Sequence, residues 1–132
     1  MKHDKMCFCC GSDNPKGLGL DFKYDLTKGV STCQFMPSEY YQSYENILHG
    51  GIQATILDGA MVNVLKSNHI DALTGKLEVY YKKTVFLNEP ITVLSNIAKK
   101  LGDIIFVESQ IIQNGEVKTE GKGIFKKSTD LT

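Results

Sequence analysis

The apolar spacing over residues 50–68 predicts a helix too hydrophobic to lie on a protein surface. Ile52, Ile56, Ala60 and Val64 recur every four residues. Leu57, Met61 and Leu65 fill the adjacent row, as a period of 3.6 requires. Ala54 and Val62 widen the apolar arc until it covers most of the circumference. A helix of that kind has to be wrapped by other structure. The chain has 132 residues, which suits one domain and leaves little room for two. The wrapping is expected from the segments on either side of the helix, with a partner subunit able to finish an open sheet surface.

Those segments read as strands. Leu18, Leu20 and Phe22 alternate with Gly19 and Asp21, which predicts a first strand. Lys28-Gly29 predicts a tight turn into a second, Val30–Phe35. After the helix the period drops to two, with Leu77, Val79 and Tyr81 alternating with Glu78, Tyr80 and Lys82. Asn88-Glu89-Pro90 ends that run. Further strands are predicted at 91–98, 104–113 and about 117–125. They are separated by Leu101-Gly102-Asp103 and by Asn114-Gly115, a pair that tolerates the positive φ of a type I′ hairpin turn. Short connections demand antiparallel pairing. Two strands, one long helix and four strands thus describe a single α+β domain over residues 1–132, an antiparallel sheet curled around a central helix. Residues 1–17, dense in Cys, Gly, Asn and Pro, precede it as an irregular arm.

Charge excludes some functions. Fifteen lysines, with no arginine, balance fifteen acidic residues, so the net charge is zero. A nucleic-acid partner wants a basic face and is not expected. Any phosphate must be met by Lys or by backbone N–H groups, because no bidentate Arg clamp exists. Lys82-Lys83, Lys99-Lys100 and Lys126-Lys127 either serve that purpose or stand as solvated strand ends. The first residues do not resemble a signal peptide and no stretch reaches membrane-span length, so a cytoplasmic location without a membrane partner is expected.

In that setting Cys7, Cys9, Cys10 and Cys33 are expected to be reduced thiols. Cys7 and Cys10 have the C-x-x-C spacing of zinc pairs, and Cys9, Cys33 and His3 are the further donors at hand. No second pair is present, so inert thiols are the default and no metal or cofactor is assigned.

Two features carry candidate chemistry. Asp58 is the only charged side chain between Ile52 and Leu65, at the border of the apolar arc. A carboxylate there needs partners or a raised pKa. It is either satisfied by solvent and nearby backbone or presented to a substrate as base or nucleophile. His49-Gly50-Gly51 stands just before the helix. The glycines let a ligand approach the backbone, and the first helical N–H groups are free donors suited to a carbonyl or an oxyanion. His49 by itself reads equally as a helix cap. Asp58 lies about 13 Å beyond His49 along a helix rising ~1.5 Å per residue. One chain would struggle to aim both groups at one atom; two chains with helices side by side would not.

The segment from Tyr41-Gln42-Ser43-Tyr44-Glu45-Asn46-Ile47-Leu48 through His49-Gly50-Gly51 to Asp58-Gly59-Ala60-Met61 resembles the signature of hotdog-fold thioesterases. The branch is the PaaI-like group, related to 4-hydroxybenzoyl-CoA thioesterases. Cys10-Gly11, Asn14-Pro15 and Gly17-Leu18 are similar to the N-terminal arm of some members, and Thr74 with Leu77-Glu78-Val79-Tyr80-Tyr81 resembles the strand after the helix. The resemblance implies a sheet wrapped around the helix, paired into dimers or dimers of dimers with active sites at the interface. It implies an acyl-CoA thioesterase in which the Gly50 amide polarises the thioester carbonyl and Asp58 of the partner subunit acts as general base or nucleophile. Thr74 would help hold the attacking water, and His49 would orient the loop or the substrate. Many members carry Asn or Gln upstream of the His; Gln42 and Asn46 are both candidates here, with Gly51, for substrate binding. A non-catalytic acyl-CoA sensor and an enoyl-thioester hydratase are the alternatives on the same fold. The acyl group stays open, as does the choice between coenzyme A and acyl carrier protein.

Overall fold

A computed structural model describes residues 4–128 and contains one long helix against one six-stranded sheet. The elements are β1 (Lys23–Asp25), β2 (Val30–Phe35), a short 3₁₀ turn (Glu39–Tyr41), α1 (Gly50–Ser67), β3 (Ala72–Tyr81), β4 (Ile91–Leu101), β5 (Ile104–Gln113) and β6 (Glu116–Lys127). The strand order is β1-β2-β4-β5-β6-β3, and every pairing is antiparallel. This is the α+β arrangement expected from the sequence. Asn114 and Gly115 both take positive φ, 53° and 75°, at the β5–β6 turn.

The helix buries one stripe against the concave side of the sheet: Gln53, Ile56, Leu57, Ala60, Met61, Val64 and Leu65. Those apolar side chains meet Val93 of β4, Ile105, Val107 and Ile111 of β5 and Phe125 of β6 in two adjoining core clusters. Close approach depends on β6 having no side chain at Gly123, where a Cβ would stand 2.5 Å from the Met61 sulfur. The other flank, including Ile52, Thr55, Asp58, Gly59 and Val62, is only half-buried. Within this chain the sheet covers one side of the helix, and the arm covers part of the other. No helix of the described residues is long and apolar enough to cross a membrane.

Three details differ from the sequence reading. The first strand is only Lys23–Asp25, not the run through Leu18, Leu20 and Phe22. Their alternation reflects real burial, but Leu18 and Leu20 donate backbone hydrogen bonds to the Phe8 and Cys9 carbonyls at 2.7 and 3.0 Å. They pair with the arm, not with the sheet. Second, β3 pairs with β6 and not with β4, which follows it in sequence. The connection at 82–90 carries the chain across the fold, held there by buried Val85 and Leu87. Third, the arm is irregular as expected but seated on the helix: Cys9 is 5% exposed and belongs to the core.

Candidate active site

Asp58 sits in the middle of α1 on its half-buried flank, among Thr55, Gly59 and Val62 at spacings of one to four residues. Across from it, the Thr74 hydroxyl donates to Asp58 Oδ1 at 2.8 Å. That hydrogen bond satisfies one carboxylate oxygen. Thr74 reaches the helix because β3 is irregular. Leu77 and Val79 pack into the core, so strict alternation would send even-numbered residues to the outer face. The register of β3 on β6 shifts between Thr74 and Lys76, leaving Gly75 as the extra residue. A bulge reverses the alternation and re-aims the side chains beyond it. Ala72, buried, and Thr74 thereby face inward with Leu77.

The arm closes over this flank. Cys7, Phe8, Cys9 and Cys10 form one wall of a cavity of about 430 Å³, and Thr55, Asp58, Gly59, Val62, Asn63 and Lys66 form the other. Gly59 is what admits the arm: a Cβ there would stand 2.2 Å from the Cys9 sulfur. Burial drives the Cys9 thiol far above its ordinary range, so it is a neutral packing group.

His49 is the N-cap of α1, its Nδ1 accepting the Gly51 N–H at 2.9 Å. The cap also explains one glycine, because a Cβ on Gly51 would lie 3.1 Å from the imidazole. Gly50 has a different surrounding. Its added Cβ would make ordinary contacts with the Tyr81 ring at 3.4 Å, and its carbonyl accepts the Tyr81 hydroxyl at 2.7 Å. Its N–H is at the helix start, where no intrahelical acceptor exists. Gly50 lines a second cavity of about 310 Å³ with Tyr44, Leu48, Gln53, Tyr81, Lys82 and Lys83 among its walls. Neither Asp58 nor Thr74 lines that cavity. The structure brings Asp58 to Thr74 and leaves Gly50 apart from both within one chain.

Gln42 and Asn46 line neither cavity. The Gln42 side-chain oxygen accepts the Asn46 N–H at 3.1 Å, and Asn46 takes a left-handed φ of 64°. In this chain both shape the loop that leads to His49. Of the lysine doublets, Lys82 and Lys83 reach a cavity, and each also pairs with a carboxylate, Glu120 and Glu116. His3 lies outside the described residues. Among the described residues no group of three or more His, Cys, Asp or Glu is placed to hold a metal.

Three contributors escaped sequence reasoning. Gln53 is buried, donates to the Leu48 carbonyl at 3.1 Å and accepts from Thr119 at 2.6 Å, fixing the helix start to β6. A polar residue three positions after Gly50 in an apolar row was its only signal. Tyr81 read as an apolar strand position. The arm cysteines, expected to be inert thiols, line the Asp58 cavity, and nothing local records that docking.

No family model matches the chain. The curated acyl-coenzyme A thioesterase THEM4 of Bos taurus is 26% identical over 115 residues, covering 83% of this chain and 47% of that protein. The chain thus spans about half the length of the curated relatives it matches. A crystal structure of a thioesterase superfamily protein superposes with a TM-score of 0.88 at 21% identity, covering 92% of this chain and 60% of that one. A hypothetical thioesterase from Streptococcus pneumoniae, solved with coenzyme A, gives 0.75 at 16% identity over 83% and 88% of the two chains. These likenesses show the hotdog fold, in agreement with the resemblance read from residues 41–61.

Proposed function

We propose that this chain, which has the hotdog fold of the thioesterase superfamily, hydrolyses acyl-CoA thioesters with water, as a PaaI-like member would. One observation carries the reading: a carboxylate on a rigid helix, held by the Thr74 hydroxyl, opens on a cavity walled largely by apolar groups. A site that only bound acyl groups would gain nothing from a carboxylate in that wall, because its desolvation opposes binding. Curated relatives named as acyl-CoA thioesterases and a structural neighbour holding coenzyme A support the substrate class.

In this reading the thioester oxygen lies against the Gly50 N–H, whose position at the helix start favours developing negative charge. Asp58 Oδ2 removes a proton from the attacking water while Thr74 holds Oδ1; alternatively Asp58 attacks the carbonyl itself and water releases the acyl group. Collapse of the tetrahedral intermediate expels the coenzyme A thiolate, which is protonated by solvent. Lys82 and Lys83, beside the Gly50 cavity, are the lysines best placed for the coenzyme A phosphates. In this reading His49 caps the helix through Nδ1 and so holds the Gly50-Gly51 turn in place.

Gly50 and Asp58 open on different cavities of one chain, so the site is completed by Asp58 of the partner subunit. The free edge of β3, a ten-residue strand that among the described residues pairs only with β6, is a surface for that second copy. The test is thiol release from short, long, branched and aromatic acyl-CoAs. Turnover of at least one class is expected; binding without turnover on all of them would favour the sensor reading.

A further inference from the structure

The hydrolysis mechanism leaves the arm thiols unused, yet their geometry is not that of inert residues. Cys7 and Cys10 are separated by one turn of chain closed by the Gly11 N–H on the Cys7 carbonyl at 2.8 Å. The Cys10 thiol donates to the Cys7 sulfur at 3.6 Å. Both residues are half-buried and face the cavity that Asp58 lines. Cys9, between them in sequence, lines the same cavity but is buried against Gly59. The turn thus sorts three neighbouring cysteines into one packing group and one facing pair.

We propose that Cys7 and Cys10 form a thiol–disulfide exchange site that takes a small-molecule disulfide, with Cys7 as the attacking thiol and Cys10 as the resolving one. The Cys7 thiolate attacks one sulfur of the disulfide, forming a mixed disulfide and releasing one small thiolate. Cys10 then loses its proton to solvent and attacks the Cys7 sulfur, releasing the second small thiolate. Two protein thiols are oxidised, one small-molecule disulfide is reduced to two thiols, and the two protons end on those thiols. The protein sulfurs must close from 3.6 Å to about 2.05 Å, a shift that side-chain rotation in one turn can supply.

The electrostatics agree with this division of labour. Burial works to raise the Cys7 thiol, but the backbone N–H groups of Cys10 and Cys9, the Cys10 thiol and the Gly11 N–H outweigh it and hold it below its ordinary value. Cys10 is pushed up to about 12, by burial first and then by its hydrogen bond to Cys7 and the charge there. The last two causes vanish once Cys7 is in a mixed disulfide, which brings the Cys10 thiol down while burial still holds it up.

The experiment uses the full chain in buffers of reduced and oxidised glutathione, followed by alkylation of free thiols and peptide mass mapping. A single Cys7–Cys10 disulfide is expected, with Cys9 and Cys33 still alkylated. Cys10→Ser should stop at a glutathione adduct on Cys7, and Cys7→Ser should react at least about tenfold more slowly than wild type. A pair still reduced in the most oxidising buffer overturns the proposal, as does first reaction at Cys9 or Cys10. The wild-type mapping needs no variant to fold. A mapped disulfide in a protein that hydrolyses no thioester would leave the exchange site standing and remove the thioesterase reading; hydrolysis with the pair always reduced would do the reverse.

Discussion

The Thr74 hydroxyl donates to Asp58 Oδ1 at 2.8 Å, joining the middle of the helix to the bulged end of β3. A carboxylate so held has one oxygen committed and one available, and its orientation is fixed by two rigid elements. Asp58→Asn keeps the shape and removes the base. We predict retained folding and a fall in kcat of about 10²-fold or more. Thr74→Ala should cost less, on the order of tenfold, and the double variant should be little worse than Asp58→Asn alone, since the two act as a unit. Steady-state kinetics on a responsive acyl-CoA decides it; an Asp58→Asn enzyme within a few-fold of wild type would remove Asp58 from the chemistry.

The His49 cap is a stability feature as read from its geometry. His49→Ala should lower unfolding free energy by about 1 kcal/mol, and His49→Asn should recover most of it, because Asn also accepts at a helix N-cap. Chemical denaturation of the three proteins tests this. Full loss of turnover in a normally stable His49→Asn protein would assign the imidazole a direct part in the reaction.

Gly50 and Gly51 should respond differently to the same methyl group. Gly51→Ala pushes on the capping imidazole at 3.1 Å, so thermal stability should fall. Gly50→Ala meets only ordinary contacts, so the fold should persist while kcat/KM falls as the methyl crowds the substrate carbonyl. Unchanged kinetics in Gly50→Ala would exclude that amide from the site.

Gly59 and Cys9 form a steric pair. Gly59→Ala is expected to destabilise by about 1–3 kcal/mol through overpacking against the Cys9 sulfur. Cys9→Ala in the same chain removes the 2.2 Å clash and leaves a Cβ contact of 3.0 Å, so rescue should be partial. A double-mutant cycle measures the coupling, and additive effects would show that the arm does not rest there.

Light scattering at assay concentration should give the mass of a dimer or of a dimer of dimers. The motive is the separation of Gly50 and Asp58 into two cavities of one chain. A fully active monomer contradicts it.

Much of this was written in local patterns. The period of the apolar residues announced α1, the Asn114-Gly115 pair announced the β5–β6 turn, and the isolation of Asp58 announced a carboxylate needing a partner. Each depends on neighbours within a few residues, where backbone geometry alone dictates which side chains share a face. The partner itself was not legible: alternation from Leu77 and Val79 points Thr74 away from the helix, and the resemblance implied for Thr74 only a part in holding the attacking water. The bulge at Gly75 reversed it, and a bulge is set by how β3 and β6 align over their whole length. The strand order and the seat of Cys9 against Gly59 have the same origin. They bring together residues far apart in sequence, and such contacts are chosen by the joint packing of the arm, helix and sheet. The sequence by itself determined the helix, the later strands and the isolated carboxylate; tertiary structure decided where the first strand joins the sheet and what that carboxylate touches.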